Sequence, residues 1–232
     1  MAELTASGIQ TGTAEDLYGP LNDVERKNVP PQLWVQGDAE LLQRGLRVAV
    51  VGSRSPSPGG RQRASQLARK LAGEEITVVS GLALGTDTIA HRTAIASGGR
   101  TIAVLGTPLD QYQPRQNTAL QDEIGRDHLL VSQFPSGHPV LRSNFPRRNR
   151  TMALLCHASV IVEAGESSGT LSQGWEALRL GRPLFLLQSV VDNPDLAWPR
   201  EMIQYGAFVL KQLEELLEVL PEADVAAEAL AF

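Results

Sequence analysis

Short, wholly apolar runs recur along this chain, and stretches with helical spacing lie between most of them. Val48–Val51, Ile76–Val79, Thr101–Leu105, Leu129–Val131, Ser159–Val162, Leu184–Leu187 and Ala207–Leu210 are rich in Val, Ile, Leu and Ala. Several of them stop at Gly or Ser. In Arg61–Leu71 the apolar residues Ala64, Leu67, Ala68 and Leu71 repeat with helical spacing. Thr88–Ala96, Asn117–Ile124, Arg150–Cys156, Leu171–Arg179 and Leu213–Leu220 also read as helices. Strands that are apolar at every position are buried on both faces, and alternation with helices makes the sheet parallel. The predicted fold is α/β: a doubly wound, mostly parallel sheet in an extended Rossmann-like domain over residues 31–211. Residues 1–30 are polar and aperiodic and end at Pro30-Pro31, so they read as an arm. Leu33-Trp-Val35 predicts a short extended segment. Residues 212–232 read as an acidic helix and tail.

In an open α/β sheet, ligands bind beyond the carboxyl ends of the strands. The loops there are Gly52–Gly60, Ser80–Asp87, Gly106–Asp110 and Glu163–Thr170, and each carries Gly with Ser or Thr. Glycine permits close backbone approach, and helix starts attract anions. Such turns use these residues for geometry alone in many proteins. Their convergence on one edge, with Arg54 in the first loop, favours an anion or nucleotide cleft. A further stretch, Arg142–Arg150, holds four arginines around Phe145. Arginines can track phosphates while an aromatic ring stacks a base of single-stranded nucleic acid. A solvated loop capping the next helix is the plain alternative.

Composition narrows the picture. The chain has 232 residues, 42% hydrophobic and 20% charged, enough for a substantial core. A single cysteine, Cys156, excludes an internal disulfide and reads as a packing residue. The formal charge of −5 is uneven: Gln212–Phe232 holds six acids and no base, leaving 21 bases against 20 acids elsewhere. Only Lys27, Lys70 and Lys211 are lysine. No apolar run is long enough to span a bilayer and the start lacks signal-peptide character, so the expectation is no membrane and a cytoplasmic location. No metal-ligand spacing, Walker sequence or Gly-x-Gly-x-x-Gly occurs. His91, His128, His138 and His157 are scattered. No catalytic residue, metal or cofactor is expected.

Several motifs together resemble the DNA-processing protein A family, called DprA or Smf. They are Val48–Arg54, Val78–Asp87 with Ala90-His91, Gly99–Gly106, Asn144–Arg150, and Val162–Thr170 with Gly181-Arg182. Pro30-Pro31, Gly37-Asp38 and Leu41-Leu42 match the lead-in to the first strand, and the resemblance runs from about residue 30 to 211. It implies a Rossmann-like protein that binds single-stranded DNA without sequence preference, serves natural transformation, helps load the RecA recombinase, dimerises and has no established catalysis. Carried over, Arg54 contacts phosphate, Phe145 stacks a base, and Arg147, Arg148 and Arg150 line the strand path. Gly52, Ser53, Ser80, Gly81, Asn144, Asn149, Ser168, Gly169 and Thr170 shape the pocket. The apolar face of Leu213, Leu216, Leu217 and Leu220 either supports the dimer or packs on its own sheet.

The chain departs from the family at Leu187–Ser189 and Ala197–Arg200, where a Pro-Gly turn and a Gly-Thr-Asn stretch are usual. Many members also carry an N-terminal helical module and a C-terminal winged helix, for which this sequence has no room. Two other readings compete. Nucleotide phosphoribohydrolases of the lysine-decarboxylase-like type carry Pro-Gly-Gly-x-Gly-Thr-x-x-Glu. Here Gln173 stands at the catalytic glutamate, and glutamine cannot ionise; Glu176 is the nearest substitute. A nucleotide-binding sensor domain is the third reading.

Overall fold

The computed structural model describes residues 3–4, 8–18 and 21–221. Ten strands form one sheet among the described residues. They are β1 (Glu3–Leu4), β2 (Ile9–Gly12), β3 (Leu33–Gly37), β4 (Arg47–Gly52), β5 (Thr77–Ser80), β6 (Thr101–Leu105), β7 (Leu129–Ser132), β8 (Ala158–Glu163), β9 (Leu184–Leu187) and β10 (Phe208–Leu210). The spatial order is β1-β2-β3-β7-β6-β5-β4-β8-β9-β10. From β7 to β10 every neighbour is parallel, whereas β3, β2 and β1 add an antiparallel edge. Strand order therefore reverses between β4 and β8, which is the switch point of a doubly wound sheet.

The helices are α1 (Ala14–Tyr18), α2 (Asp23–Asn28), α3 (Pro58–Gly73), α4 (Thr86–Ala96), α5 (Thr118–Asp127), α6 (Asn144–Leu155), α7 (Thr170–Arg179), α8 (Gln188–Val191), α9 (Trp198–Gln204) and α10 (Leu213–Leu217). One core cluster joins the sheet to α1, α6, α7 and α9 through Leu17, Met152, Leu154, Ala177 and Met202. A second joins it to α3, α4 and α10 through Leu67, Leu71, Ala90, Leu213 and Leu216. Alternate strand residues feed the two clusters: Val48 and Val50 face one, Ala49 and Val51 the other. That is the geometry of a sheet covered on both faces.

One expectation is corrected and one open alternative is decided. Of the expected arm 1–30, residues 9–18 and 21–30 pack on the domain, because β2 pairs with β3 and Ala14, Leu17 and Leu21 are buried in the main core. Asn22 starts α2 with a reciprocal capping box to Glu25, and buried Glu25 pairs with Arg182. These helices are too short to display a period. The face of α10 is also accounted for: Leu213, Leu216 and Leu220 are buried against the sheet, so this face lends no support to a dimer. Glu222, Asp224 and Glu228 lie outside the described residues.

Two histidines, His91 buried and His157 half-buried, are neutral in the fold. Thr101 Oγ1 donates to the Val78 carbonyl at 2.7 Å, so His91 Nδ1, 2.7 Å away, is the donor to Thr101. Its Nε2 is buried without a partner. Burial, then the charges of His128 and Arg148, bring His91 down to about 3. His157 Nδ1 accepts the Arg47 N–H at 3.0 Å; burial, then Arg47 and Arg182, bring it to about 3 as well.

Two outcomes follow from this packing. Leu216→Ala should destabilise the fold by about 2–5 kcal/mol without changing the molecular mass in solution, checked by urea unfolding and light scattering. Between about pH 6.5 and 3 the unfolded chain takes up protons on His91 and His157 that the folded chain refuses. Stability is therefore full above about pH 6.5 and falls on acidification, by about 1.4 kcal/mol per pH unit for each histidine. Asn in place of His157 keeps an acceptor for the Arg47 N–H but does not titrate, so this part of the slope should halve; an unchanged slope counts against the assignment.

Candidate nucleic-acid interface

At the switch point the loops after β4, β5 and β8 are bonded to one another. The Ser53 N–H donates to the Glu163 carbonyl at 2.7 Å. The Ser53 carbonyl accepts from the Thr86 N–H at 3.0 Å and from Thr86 Oγ1 at 3.1 Å. Thr170 Oγ1 reaches the Gly52 carbonyl at 2.9 Å. Ser80, fully buried, donates to the Val50 carbonyl at 2.7 Å. Gly52, Ser53, Ser80 and Thr170 thus come together and satisfy one another's backbone, with Arg54 exposed on the outer side. Ser168 Oγ accepts the Thr170 N–H, the first of α7, at 3.2 Å, and Gly169 is exposed beside it. Leu82, just beyond Gly81, has a φ of 60° with its side chain fully buried. Its carbonyl is held by Asn117 Nδ2 at 2.9 Å, which sustains this uncommon conformation.

The arginine-rich stretch is helical, not a loop: Asn144–Leu155 is α6, with Pro146 in its first turn, where a missing N–H costs nothing. This placement sorts the four arginines. Arg148 is buried, and its Nη1 donates to the Gly81 and Val104 carbonyls, each at 2.6 Å, while its Nε donates to Asn149 at 3.0 Å. The expectation that Arg148 lines the strand path is corrected: it pins α6 across the ends of β5 and β6. Gly81 makes the room, because a Cβ there would lie 2.1 Å from Arg148 Nη1. Asp87 accepts the Gly81 and Ala83 N–H groups, each at 3.2 Å. Burial holds the Asp87 carboxyl above its ordinary range, against the pull of Arg148. Burial also works against the Arg148 charge; Asp87 supports it and Arg54 opposes it.

Arg150 is half-exposed and bonds Glu176 at 2.8 Å. The exposed Arg147 lies over the Phe134 ring, 5.2 Å from its centroid. Arg142 is exposed. Asn144 is buried and donates to the Pro139 carbonyl at 3.0 Å, and Asn149 is buried beside Arg148; both position the helix. Phe145 is half-buried. Its ring rests on the end of β6, where a Cβ on Gly106 would come within 2.8 Å of the ring. One side of the ring is seated on backbone while part of it stays open to solvent. The part of Gly106 in seating Phe145 depends on a contact between distant segments, which its place in a motif and a loop does not reveal.

α4, α6 and α7 all begin at this edge of the sheet without a side-chain cap. Several of their leading N–H groups are met within the chain, Thr86 by the Ser53 carbonyl, Asn144 and Phe145 by the Leu141 and Arg142 carbonyls and Thr170 by Ser168 Oγ, so it is the helix dipoles that favour negative charge here. Together with Arg54, Arg142 and Arg147, this edge can hold phosphates around a ring that can stack a base. The residues relevant to hydrolysis are engaged otherwise. Gln173 is buried with Nε2 3.3 Å from Ser159 Oγ, and Glu176 is buried between Arg150 and Arg179. No group of three His, Cys, Asp or Glu among the described residues could hold a metal ion. No described helix is long and apolar enough to cross a membrane. A separate cleft of about 420 Å³ lies between α3 and the ends of β9 and β10, rimmed by Arg63, Lys70 and Lys211.

The chain is similar to known proteins in sequence and in fold. The family described as DNA recombination-mediator protein A matches residues 12–221. The chain is 37% identical over 203 residues to the DNA processing protein DprA of Streptococcus pneumoniae, covering 88% of this chain and 71% of that one. It is 33% identical over 196 residues to the DNA processing protein DprA of Bacillus subtilis, covering 84% of this chain and 66% of the relative. The chain thus spans about two thirds of the length of these relatives. The X-ray structure of the Streptococcus pneumoniae protein superposes with a TM-score of 0.77 at 34% identity, covering 91% of this chain and 74% of that one. DNA processing protein A from Helicobacter pylori, solved for its unique single-stranded DNA binding mode, gives a TM-score of 0.75 at 29% identity, covering 90% of this chain and 100% of that one.

The two arginines nearest the cleft should behave oppositely in stability. Arg148→Ala leaves buried carbonyls and Asp87 without their cation and should cost about 3–5 kcal/mol. Arg54→Ala, at an exposed position, should stay within about 0.5 kcal/mol of the parent. Thermal unfolding of both variants checks this; equal losses would contradict it.

Proposed function

This chain belongs to the DNA recombination-mediator protein A family, and on that premise we propose that it binds single-stranded DNA, without sequence preference, along the carboxyl edge of its parallel strands. The observation that carries the reading is Phe145, half-exposed on its Gly106 seat in the first turn of α6, with exposed Arg142 and Arg147 close to it in the chain. An unstacked base can reach such a ring, and a paired base cannot. Arg54, Arg142 and Arg147 hold backbone phosphates, and sequence is not read, because these contacts carry no base information. The single-stranded DNA binding described for the Helicobacter pylori relative supports the reading.

In the cell, the protein protects single strands during recombination and natural transformation and hands them to RecA, acting as a homodimer in the cytoplasm and without catalysis of its own. The positions of Gln173 and Glu176 support the non-enzymatic part. The first is an amide bonded within the core, and the second is held by two arginines with no room to act as a free base.

Binding to oligo-dT, to duplex of equal length and to AMP, each at two salt concentrations, tests the proposal. Oligo-dT should bind more tightly than duplex; equal affinities would sink it. Arg54→Ala should lower the salt slope by about 0.7, the value for one single-strand phosphate contact. Phe145→Ala should cost about 1–3 kcal/mol of oligo-dT affinity and leave the salt slope unchanged. Release of free base from AMP by the wild type would overturn the non-enzymatic reading.

A further inference from the structure

In a doubly wound sheet, the first helix beside the switch point is where a nucleotide phosphate usually sits, on the leading N–H groups of that helix. Here that helix is α3, and its start is already occupied by an anion belonging to the chain. Glu163 is the last residue of β8, across the switch point from β4. The pairing of β4 with β8 shifts register between Val51 and Gly52, so Gly52 stands opposite Glu163. The Glu163 carbonyl accepts the Ser53 N–H, which fixes this residue beside the loop leading to α3. Its carboxylate reaches over to the start of the helix. Oε1 accepts the Ser57 N–H at 2.7 Å, and Oε2 accepts Ser57 Oγ–H at 2.5 Å. Ser57 Oγ in turn accepts the Gly60 N–H at 3.0 Å. Arg63, one turn further along α3, pairs with Oε2 at 3.3 Å. Gly60 leaves space for this oxygen, since a Cβ there would lie 2.4 Å from Oε2. The Glu163 side chain is 25% exposed, so it is seated in the turn rather than on the surface.

Every element of a phosphate site is therefore present and filled: two acceptor oxygens, a negative charge, a helix start, a hydroxyl and an arginine. A free mononucleotide would have to displace this carboxylate or place its phosphate against a like charge. α6 and α7, which have no acidic residue in their first turns, begin on the same edge. We propose that Glu163 is a specificity-determining residue, closing the seat at α3 to free mononucleotides and leaving the cleft to a polymer strand held through Arg54 and α6. The preference for a polymer rests on the single-strand reading above; the closing of the seat does not.

The test uses the full chain as wild type, Glu163→Ala and Glu163→Gln, with AMP, inorganic phosphate and oligo-dT as probes. Amide NMR follows Ser57 and Gly60. In the wild type these amides should not move with millimolar AMP or phosphate. Glu163→Ala removes both charge and volume, and should bind AMP and phosphate at least about tenfold more tightly than wild type, with saturable shifts at Ser57 and Gly60. Glu163→Gln keeps the volume and loses the charge, so its gain should be smaller. Oligo-dT affinity should be unchanged or raised in both, because a repelling carboxylate is gone. A merely structural Glu163 would lower stability and oligo-dT affinity with no gain for AMP. The proposal is overturned by AMP-induced shifts of Ser57 and Gly60 in the wild type, by a folded Glu163→Ala with no gain, or by failure of both variants to fold. A wild type that ignores oligo-dT would sink the single-strand reading while leaving the AMP comparison intact.

Discussion

The buried guanidinium of Arg148 holds the candidate interface in place. Its Nη1 bonds the carbonyls of Gly81 and Val104 beyond β5 and within β6, so the start of α6 is fixed over the middle of the sheet. Everything exposed in that turn inherits its position from this contact: Phe145 on Gly106, Arg147 over Phe134, Arg150 toward Glu176. A charge buried this deeply persists only when its donors are met and a counter-charge is near. Two carbonyls, Asn149 and the nearby Asp87 supply both. The same arginine contributes positive potential from below to the surface where Arg54 stands.

Charge at this edge is divided between holding the fold and meeting a ligand. Arg148 belongs to the fold, and Arg63 and Arg150 are tied to Glu163 and Glu176. Arg54, Arg142 and Arg147 are exposed. A formal net charge of −5 is therefore compatible with an anion-attracting edge, because local arrangement and helix dipoles set the potential there, not the total. Glu163 sharpens the division. It satisfies the start of α3 internally, so the dipoles that favour an anion without an acid beside them are those of α6 and α7.

The apolar runs by themselves determined the α/β class and all seven parallel strands, because burial on both faces leaves a pattern that needs no partner information. The motifs identified the family for the same reason: they are contiguous. Tertiary structure alone decided what each residue in those motifs does. Arg147, Arg148 and Arg150 are equivalent on paper, yet helical rotation sends one over a ring, one into the core and one to a carboxylate. The packing of residues 9–18 and 21–30 depends on β3 and on Arg182, far along the chain, and helices of five or six residues carry no period. The apolar stripe of α10 fits a dimer or an intramolecular face equally well until its neighbours α3 and Phe185 are in place. Glu163 is invisible as an anion in a phosphate seat, because it lies 106 residues from the Ser57 it bonds and only the β4–β8 crossover brings them together.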